Sequence, residues 1–333
     1  MKTSIIASAA RPLMHMARDR DRRFVWSALV CLCCFACLEA QVRPVDPREM
    51  SNDLVQSHLT VGVVRGDGIL FPLVSRQNET WTILKAFISV GDSSPYMLLD
   101  AQRVPREGWT YIPWDSGVPR PLAILDTVVT DAYCERREGF TTNAPPPARK
   151  LDGAHLMSGI AIHGDVSTVR VEDMVDQPDT MSRRVTRLVV QLAHALEAEN
   201  ASARPQSPPA ISLNERQRVP VQITTLARDR VGDGGAHGYV DYYYFEAHKR
   251  YSQVESYVHG WVVSSPGSLS VVSTKSGLDR GGETARQKGR PLGVIRIRGS
   301  SVWVMEMRGY EGDAYEIVEP GLGRVLSVHG GGC

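Results

Sequence analysis

The 333-residue chain is close to neutral, because 38 lysines and arginines stand against 37 aspartates and glutamates. This balance argues against nucleic acid as a partner, since binding to a phosphate backbone requires a basic surface. We therefore expect no nucleic-acid partner. The length is sufficient for one large domain or for two of moderate size.

The first 40 residues have the order of a secretion signal. Four arginines between residues 18 and 23 precede an apolar run from Phe24 to Leu38. Glu39 ends this run before it reaches the roughly 20 residues that a membrane span needs. We expect cleavage after Ala40, and therefore an exported protein, extracellular or periplasmic, with no stable membrane span. Without residues 1–40 the chain keeps 32 basic and 34 acidic side chains.

Three alternatives to a cleaved secretion signal stay open. Arg22-Arg23-Phe24 is compatible with twin-arginine transport, and Ala36-Cys37 is compatible with acylation as a lipoprotein. The third alternative is an apolar run that stays uncleaved as an anchor.

Only two of the six cysteines remain once residues 1–40 are removed. An oxidising compartment favours a disulfide between this pair, Cys134 and Cys333. The bond would close a loop of about 200 residues and stabilise the fold by on the order of 5 kcal/mol in the chain-entropy model. The alternative is two separate thiols, one buried and one in the glycine-rich tail.

Residues 41–145 form a predicted N-terminal β region. Four runs of strand-like length and β-branched content begin at Leu59, Ile69, Trp81 and Leu122. Clusters of glycine, serine and proline between these runs predict turns. Pro72 lies within the second run and indicates an edge strand or a bulge, because proline cannot donate to the ladder.

Residues 146–205 are predicted to connect two β regions and to contain one helix at about 180–200. Asp179 supplies an N-cap, Asn200 is the expected C-cap, and we expect His194 to be a surface histidine. Apolar residues recur at helical spacing and form one stripe. The stripe consists of Met181, Val185, Leu188, Val189, Leu192, Ala193 and Leu196.

Residues 206–333 give the strongest strand signal. The last four runs have the short spacing of an antiparallel meander. In Val294-Ile295-Arg296-Ile297-Arg298 the arginines alternate with isoleucines, which is typical of a half-exposed strand. The chain ends in three glycines before Cys333, which we interpret as a flexible tail.

These signals predict a mainly β fold in which antiparallel meanders form a propeller-like or two-unit β architecture with one long amphipathic helix. A short internal similarity bears on that architecture. Gly62-Val63-Val64-Arg65, with Gly68 three residues on, resembles Gly293-Val294-Ile295-Arg296 with Gly299 at the same offset. If the similarity is more than chance, the first and last hairpins are equivalent units.

Six of the 11 tyrosines lie between residues 239 and 257. Alternation along a strand places Tyr243 with Phe245 on one face, and Tyr242 with Tyr244 on the other. We expect one face in the core, and the opposite face either to pack between sheets or to form a stacking platform for a sugar ring or a peptide. Tyr242, Tyr244 and Trp261 are therefore the candidate binding residues, and packing between sheets is the alternative.

No motif for catalysis, a cofactor or a metal outweighs its simpler explanation. The histidines show neither H-E-x-x-H nor a paired cysteine spacing, so we predict no cofactor and no metal, and we assign no catalytic residue. His329-Gly330-Gly331-Gly332 copies the oxyanion loop of esterases, but the chain has no G-x-S-x-G nucleophile elbow.

Short motifs at both ends of the chain carry one resemblance. Asp67-Gly-Ile-Leu-Phe-Pro followed by Trp81, with Gly309-Tyr-Glu, Tyr315-Glu-Ile and the closing Gly-Gly-Gly-Cys, resembles a group of uncharacterised exported bacterial proteins. The resemblance implies export and a β-rich fold. It implies no activity and no site residues.

The leading hypothesis is an exported, non-catalytic binding or interaction protein with a glycan or a protein as its ligand. A secreted hydrolase with dispersed carboxylates or histidines is the second, and a structural or envelope-assembly protein is the third, since fold alone does not separate them. Five carboxylates could serve a glycoside hydrolase: Glu306, Glu311, Asp313, Glu316 and Glu319. The alternative is that they lie on solvated turn and strand faces.

The predicted disulfide has a direct test in the exported protein. We expect the intact mass to rise by about two mass units on reduction, because each of the two sulfurs gains a hydrogen when the bond is broken. Mass spectrometry before and after reduction measures the change. An unchanged mass would show two separate thiols.

Overall fold

The computed structural model describes residues 58–88, 96–100, 103–132, 135–146, 157–176, 178–203, 213–230, 240–251, 254–265, 267–279, 288–309 and 312–332. They belong to one compact unit that runs from Ser57 to Cys333. The predicted leader and both cysteines of the predicted disulfide, Cys134 and Cys333, lie outside the described residues. No helix in the described ranges is long and apolar enough to cross a membrane.

Ten strands form a curled sheet in the first half of the described chain. They are β1 (Leu59–Arg65), β2 (Ile69–Gln77), β3 (Thr80–Ile83), β4 (Lys85–Ile88), β5 (Tyr96–Leu99), β6 (Trp109–Pro113), β7 (Arg120–Leu122), β8 (Ile124–Ala132), β9 (Glu135–Thr142) and β10 (Met157–His163). The order along the sheet is β4-β5-β9-β2-β1-β10-β6-β7, with β3 beside β2 and β8 beside β9.

The second half of the described chain forms two five-stranded antiparallel sheets and two helices. Its elements are β11 (Ser167–Val169), β12 (Val171–Asp173), α1 (Thr180–Ala203), α2 (Leu213–Arg218), β13 (Gln222–Arg230), β14 (Asp241–Tyr251), β15 (Val254–Ser265), β16 (Ser268–Asp279), β17 (Lys288–Ile297), β18 (Ser300–Arg308), β19 (Gly312–Glu319), a 3₁₀ helix (Pro320–Leu322) and β20 (Arg324–Gly332). We call β11-β17-β18-β19-β20 the central sheet and β12-β13-β14-β15-β16 the outer sheet.

The central and outer sheets share one topology. Each is a four-stranded meander whose first strand also pairs with a three-residue strand, β11 beside β17 and β12 beside β13. Only Arg170 separates β11 from β12, so the chain crosses from the central sheet to the outer sheet at this residue. The predicted mainly β fold with antiparallel meanders and one long helix is confirmed, and the repeated topology matches the two-unit form of that prediction.

The middle strand of the central sheet, β18, is buried on both faces. Val304 of β18 packs with side chains of the curled sheet, while its neighbours Trp303 and Met305 pack with Tyr244 and Trp261 of the outer sheet. Alternate residues of one strand therefore enter two different hydrophobic cores, as the two-residue period of a strand requires. Trp303 has no exposed surface, and truncation of such a side chain to alanine typically costs about 3–5 kcal/mol.

Arg296 corrects the prediction of a half-exposed strand at residues 294–298. The predicted alternation is present, because Ile295 and Ile297 pack toward the curled sheet and Val294 packs toward the outer sheet. Arg296, however, pairs across the two sheets: its Nη2 lies 2.7 Å from Oδ1 of Asp229, which is fully buried on β13. Burial raises the pKa of Asp229, and Arg296 opposes that shift.

The predicted helix is α1, which covers the outer sheet. Asp179 caps its N-terminus, because Oδ1 accepts a hydrogen bond from the Ser182 backbone nitrogen at 2.7 Å. All seven residues of the predicted stripe pack into the core between α1 and the outer sheet. The helix continues to Ala203, so Asn200 lies inside it and is not the C-cap.

Several other expectations can be compared with the strands. The predicted connector supplies β10, which lies between β1 and β6 in the curled sheet. Pro72 pairs with Gly62 at a register shift, so the predicted bulge is present. The glycine tail that we expected to be flexible pairs with β19 as the end of β20.

The internal similarity marks two comparable hairpins, β1–β2 and β17–β18. Gly62 and Gly293 each follow a register shift between the paired strands. Gly68 and Gly299 lie in the turns with φ of 83° and 79°, a left-handed conformation that favours glycine. The shared glycines therefore have shared conformational roles in the curled and central sheets.

A buried polar cluster joins α1 to the outer sheet. The Nζ atom of Lys249, on β14, lies 2.6 Å from Oε2 of Glu197 and 2.8 Å from Nδ1 of His194. Tyr251 also donates a hydrogen bond to Glu197. Burial and the Lys249 ammonium lower the pKa of His194, since Nδ1 can accept from the ammonium only when it is unprotonated. His194 is therefore the partner of a buried lysine and not a surface histidine.

This cluster predicts a loss of stability in acid. Because the pKa of His194 is lower in the folded state, its contribution is complete above the ordinary value of 6.5 and falls as the pH drops below it. We expect the wild-type protein to lose more stability between pH 8 and pH 5 than His194→Asn, whose amide oxygen accepts from Lys249 without titrating. Urea unfolding at each pH measures the difference, and two parallel stability curves would contradict the assignment.

Candidate ligand-binding site

Two short strands leave a gap where the three sheets meet. β12 pairs only with Ala227–Asp229 of β13, and β11 pairs only with Val294–Arg296 of β17. The preceding residues of both long strands therefore extend beyond their short partners. The end of β6 and the turn after it close the gap and leave a cavity of about 340 Å³. We call it the junction cavity, and its volume is within the roughly 300–1,000 Å³ of small-molecule sites.

The junction cavity has an apolar wall and a set of polar side chains. The wall includes Ile112, Pro113, Trp114, Leu226, Pro291 and Leu292. The polar side chains come from the turn after β6, from the crossing between β11 and β12, and from β13 and β17. They are Asp115, Arg170, Asp173, Thr224, Thr225 and Arg290.

A fully buried carboxylate holds Arg290 in place. Oε2 of Glu306 lies 2.9 Å from Nε and 2.7 Å from Nη2 of Arg290, and Nη2 also donates to the Met157 carbonyl oxygen at 2.5 Å. The Glu306 side chain has no exposed surface, whereas the Arg290 side chain is 24% exposed. Burial raises the pKa of Glu306, and the Arg290 charge opposes that shift. The guanidinium is thereby fixed at the cavity with its Nη1 edge unpaired within the described residues.

The Arg290 guanidinium also lies beside an aromatic ring. Its Cζ atom is 5.5 Å from the ring centroid of the half-buried Trp114, within the range of a cation–π contact. The Arg290 guanidinium therefore lies over the Trp114 indole in the cavity wall. This pair offers a ligand hydrogen-bond donors next to an apolar surface.

A second buried carboxylate, that of Glu246 on β14, lies behind β13, which forms another wall of the junction cavity. Oε2 of Glu246 accepts a 3.4 Å hydrogen bond from Thr225 Oγ1, and Oε1 accepts from the Gly289 nitrogen at 2.6 Å and from the Tyr244 hydroxyl at 2.9 Å. Glu246 is 3% exposed and does not line the cavity. Thr225 is therefore oriented from behind, as Arg290 is.

Arg170 lies at the crossing point between the sheets. It is exposed, and it makes no ion pair in the part of the chain that the structure describes. Its side chain packs over Gly117, where an added Cβ would come within 3.3 Å of Arg170 Cγ. The φ of Gly117 is 64°, so a side chain at this position would be strained as well as crowded.

The predicted binding residues occupy a different place, between the central and outer sheets. The alternation of the tyrosines is as predicted, because Tyr243 and Phe245 face α1 while Tyr242 and Tyr244 face the central sheet. Tyr244 is 3% exposed and Trp261 6% exposed, and their ring centroids are 5.1 Å apart. Both line a smaller cavity of about 160 Å³. These rings are core side chains on an internal wall, and their role in binding stays a prediction.

The candidate hydrolase carboxylates do not meet in one open cleft within the described residues. Glu306 pairs with Arg290, and Glu316 lies 3.4 Å from the Lys275 ammonium. Glu319 accepts a 2.7 Å hydrogen bond from the Trp81 indole. Asp313 is 6% exposed, and Glu306 and Glu319 are buried as well. The expectation of solvated faces is therefore wrong for these three residues. Glu311 lies outside the described residues.

No group of three or more histidine, cysteine, aspartate or glutamate side chains in the described part of the chain could hold a metal ion. No family model, curated protein or solved structure matches this chain.

Sequence reasoning did not find the junction cavity residues. Asp115 begins a predicted turn, and Trp114 directly precedes it. Arg290 stands just before the strand-like run that begins at Leu292, and Thr225 follows Thr224 within another such run. Their meeting depends on which strands are neighbours, which no local pattern encodes. The single sequence signal is Trp114 beside Asp115, an aromatic next to a carboxylate in a turn.

The Arg290–Glu306 pair predicts a contrast between single and double variants. Glu306→Leu leaves a largely buried guanidinium without its partner, and we expect a loss of about 3–5 kcal/mol. Replacing both partners, by Arg290→Met with Glu306→Leu, removes the unpaired charge and should recover most of that loss. Urea unfolding of the variants measures the changes. A double variant as unstable as the single one would show that the pair itself is needed for folding.

Proposed function

We propose that this is an exported, non-catalytic binding protein that takes up a small ligand in the junction cavity. The observation that carries the proposal is the buried support behind the polar lining. Glu306 fixes Arg290 and Glu246 orients Thr225, so these two polar groups are held in place before any ligand arrives. Such preorganisation lowers the entropy lost on binding.

Export rests on the order of the leader, and contacts between the segments next to Cys134 and Cys333 support the proposed disulfide. Nε2 of His329 lies 2.9 Å from Oε2 of Glu135. Arg137 Nη1 donates to the Gly330 carbonyl oxygen at 2.9 Å. These contacts join the start of β9, which follows Cys134, to the end of β20, which precedes Cys333. The proposed bond would link two segments that already touch.

The Glu306 carboxylate is not available for hydrolysis in the junction cavity. A glycosidase needs two carboxylates on opposite sides of the reacting bond, one of them able to give up a proton. Asp115 and Asp173 line the junction cavity, but Glu306 is withdrawn behind Arg290 and has no exposed surface. A hydrolase is the second candidate because these two aspartates share one cavity. A structural or envelope-assembly protein has no specific observation in its favour.

Trp114 gives the test of the proposed function. We expect a cavity ligand at 100 times its Kd to stabilise the wild-type protein by about 2.7 kcal/mol and to stabilise Trp114→Ala much less, because the variant loses the aromatic wall. Thermal unfolding monitored over a library of small polar compounds finds the ligand, and calorimetry measures its affinity for each variant.

The matched control is Val118→Ala, in the same turn. Val118 is 55% exposed and does not line the cavity, so this variant should bind like the wild type. Equal stabilisation of Trp114→Ala would place the ligand elsewhere and contradict the proposal. Turnover of the ligand, abolished by Asp115→Asn, would instead establish the hydrolase.

A further inference from the structure

The charges of the side chains that line the junction cavity sum to zero, and the buried Glu306 behind them adds one negative charge. Arg170 and Arg290 are balanced by Asp115 and Asp173 among its lining side chains, and Glu306 further neutralises Arg290 from behind. A phosphate, a polyanion or an amine would each meet like charge as well as opposite charge. A neutral ligand meets both without an unpaired charge of its own. The electrostatics therefore select against anionic ligands, and a neutral ligand needs no counter-charge in the cavity.

The polar groups of the cavity comprise both donors and acceptors. Guanidinium groups only donate, ionised carboxylates only accept, and a hydroxyl group does both. A ligand with several hydroxyl groups can therefore bond to Asp115 and to Arg170 through the same kind of group. A purely apolar ligand would displace water from these side chains and leave them without partners, which is unfavourable.

The apolar wall requires that the same ligand has a face without hydroxyl groups. Trp114, Pro113 and Leu292 contribute to this wall. A pyranose ring presents a face of C–H groups, which packs on an aromatic surface while the ring edge carries hydroxyl groups. The combination of a C–H face and a hydroxylated edge matches the combination of wall and polar lining.

An extended peptide fits this cavity less well than a sugar. A peptide that adds to a sheet needs a run of regularly spaced backbone donors and acceptors on a free strand edge. In the part of β17 that β11 does not cover, Pro291 has no N–H, and the register with β18 shifts between Pro291 and Gly293. Strand addition at this edge is therefore interrupted where it borders the cavity.

We infer that the ligand of the junction cavity is a neutral saccharide of one or two rings. The inference rests on the proposed function, since it names the class of ligand for the same site. The cavity of about 340 Å³ lies near the lower limit of small-molecule sites, which are roughly 300–1,000 Å³, so a longer glycan could place only one end in it. Trp114 packs on the ring, and Asp115 and Arg170 bind its hydroxyl groups.

Calorimetric titration with a defined panel tests the ligand class. The panel holds neutral hexoses and disaccharides, the corresponding uronic acids and sugar phosphates, and amino acids with dipeptides. We expect binding of at least one neutral sugar and weaker binding of its uronic acid and phosphate. Asp115→Asn should weaken the affinity for the sugar by about tenfold or more, since a hydrogen bond to a charged group contributes roughly 1.5–3 kcal/mol.

The matched control is Arg187→Ala beside Arg170→Ala. Arg187 is an exposed arginine of α1 that does not line the cavity, so its loss should leave the affinity unchanged, whereas loss of Arg170 should reduce it. Binding of a peptide or an acidic sugar that depends on Trp114 would overturn the saccharide and leave the proposed function standing. If no compound of the panel binds in a Trp114-dependent way, the saccharide inference is wrong, and the wider library screen decides the proposed function separately.

Discussion

The burial of both faces of β18, the middle strand of the central sheet, is the constraint on which the rest of the structure depends. A strand with no solvent on either side must bury its polar side chains, and each of them needs a partner that is also buried. Glu306 pairs with Arg290 on the neighbouring strand, and Arg296 pairs with Asp229 on the outer sheet. The Arg296–Asp229 pair joins the central sheet to the outer sheet, and the bond from Arg290 to the Met157 carbonyl oxygen joins it to the curled sheet, so both help to fix how the sheets pack.

The crossing at Arg170 connects this constraint to the site. One residue lies between β11 and β12, and each of these strands is only three residues long. The crossing therefore starts both sheets and covers only part of β13 and β17. The cavity is the part left uncovered, and the turn after β6 closes it, so Arg290 and Thr225 stand on strands of the two packed sheets. Binding groups on such elements keep their geometry better than groups on loops.

Local pattern predicted the elements whose signals are periodic. The stripe from Met181 to Leu196 predicted α1, and the alternation of Tyr242 to Phe245 predicted which rings face which core. β10 was not predicted, because Met157–His163 is buried almost throughout and its sequence therefore shows no alternation of polar and apolar residues. Arg296 and His194 were assigned to the surface because their buried partners, Asp229 and Lys249, are distant in sequence.

The buried carboxylates are difficult to explain by stability alone. Burying the Arg290–Glu306 pair incurs a desolvation penalty that the attraction between the charges often fails to offset, and apolar replacements of similar size are frequently as stable. A pair selected only for stability could therefore have become apolar. The pair does, however, present a positioned guanidinium beside Trp114, and an apolar pair could not. The same reasoning applies to Glu246, whose bond to Thr225 reaches the other wall of the cavity. Groups that are costly to bury and that orient the lining of a cavity are better explained by binding than by folding.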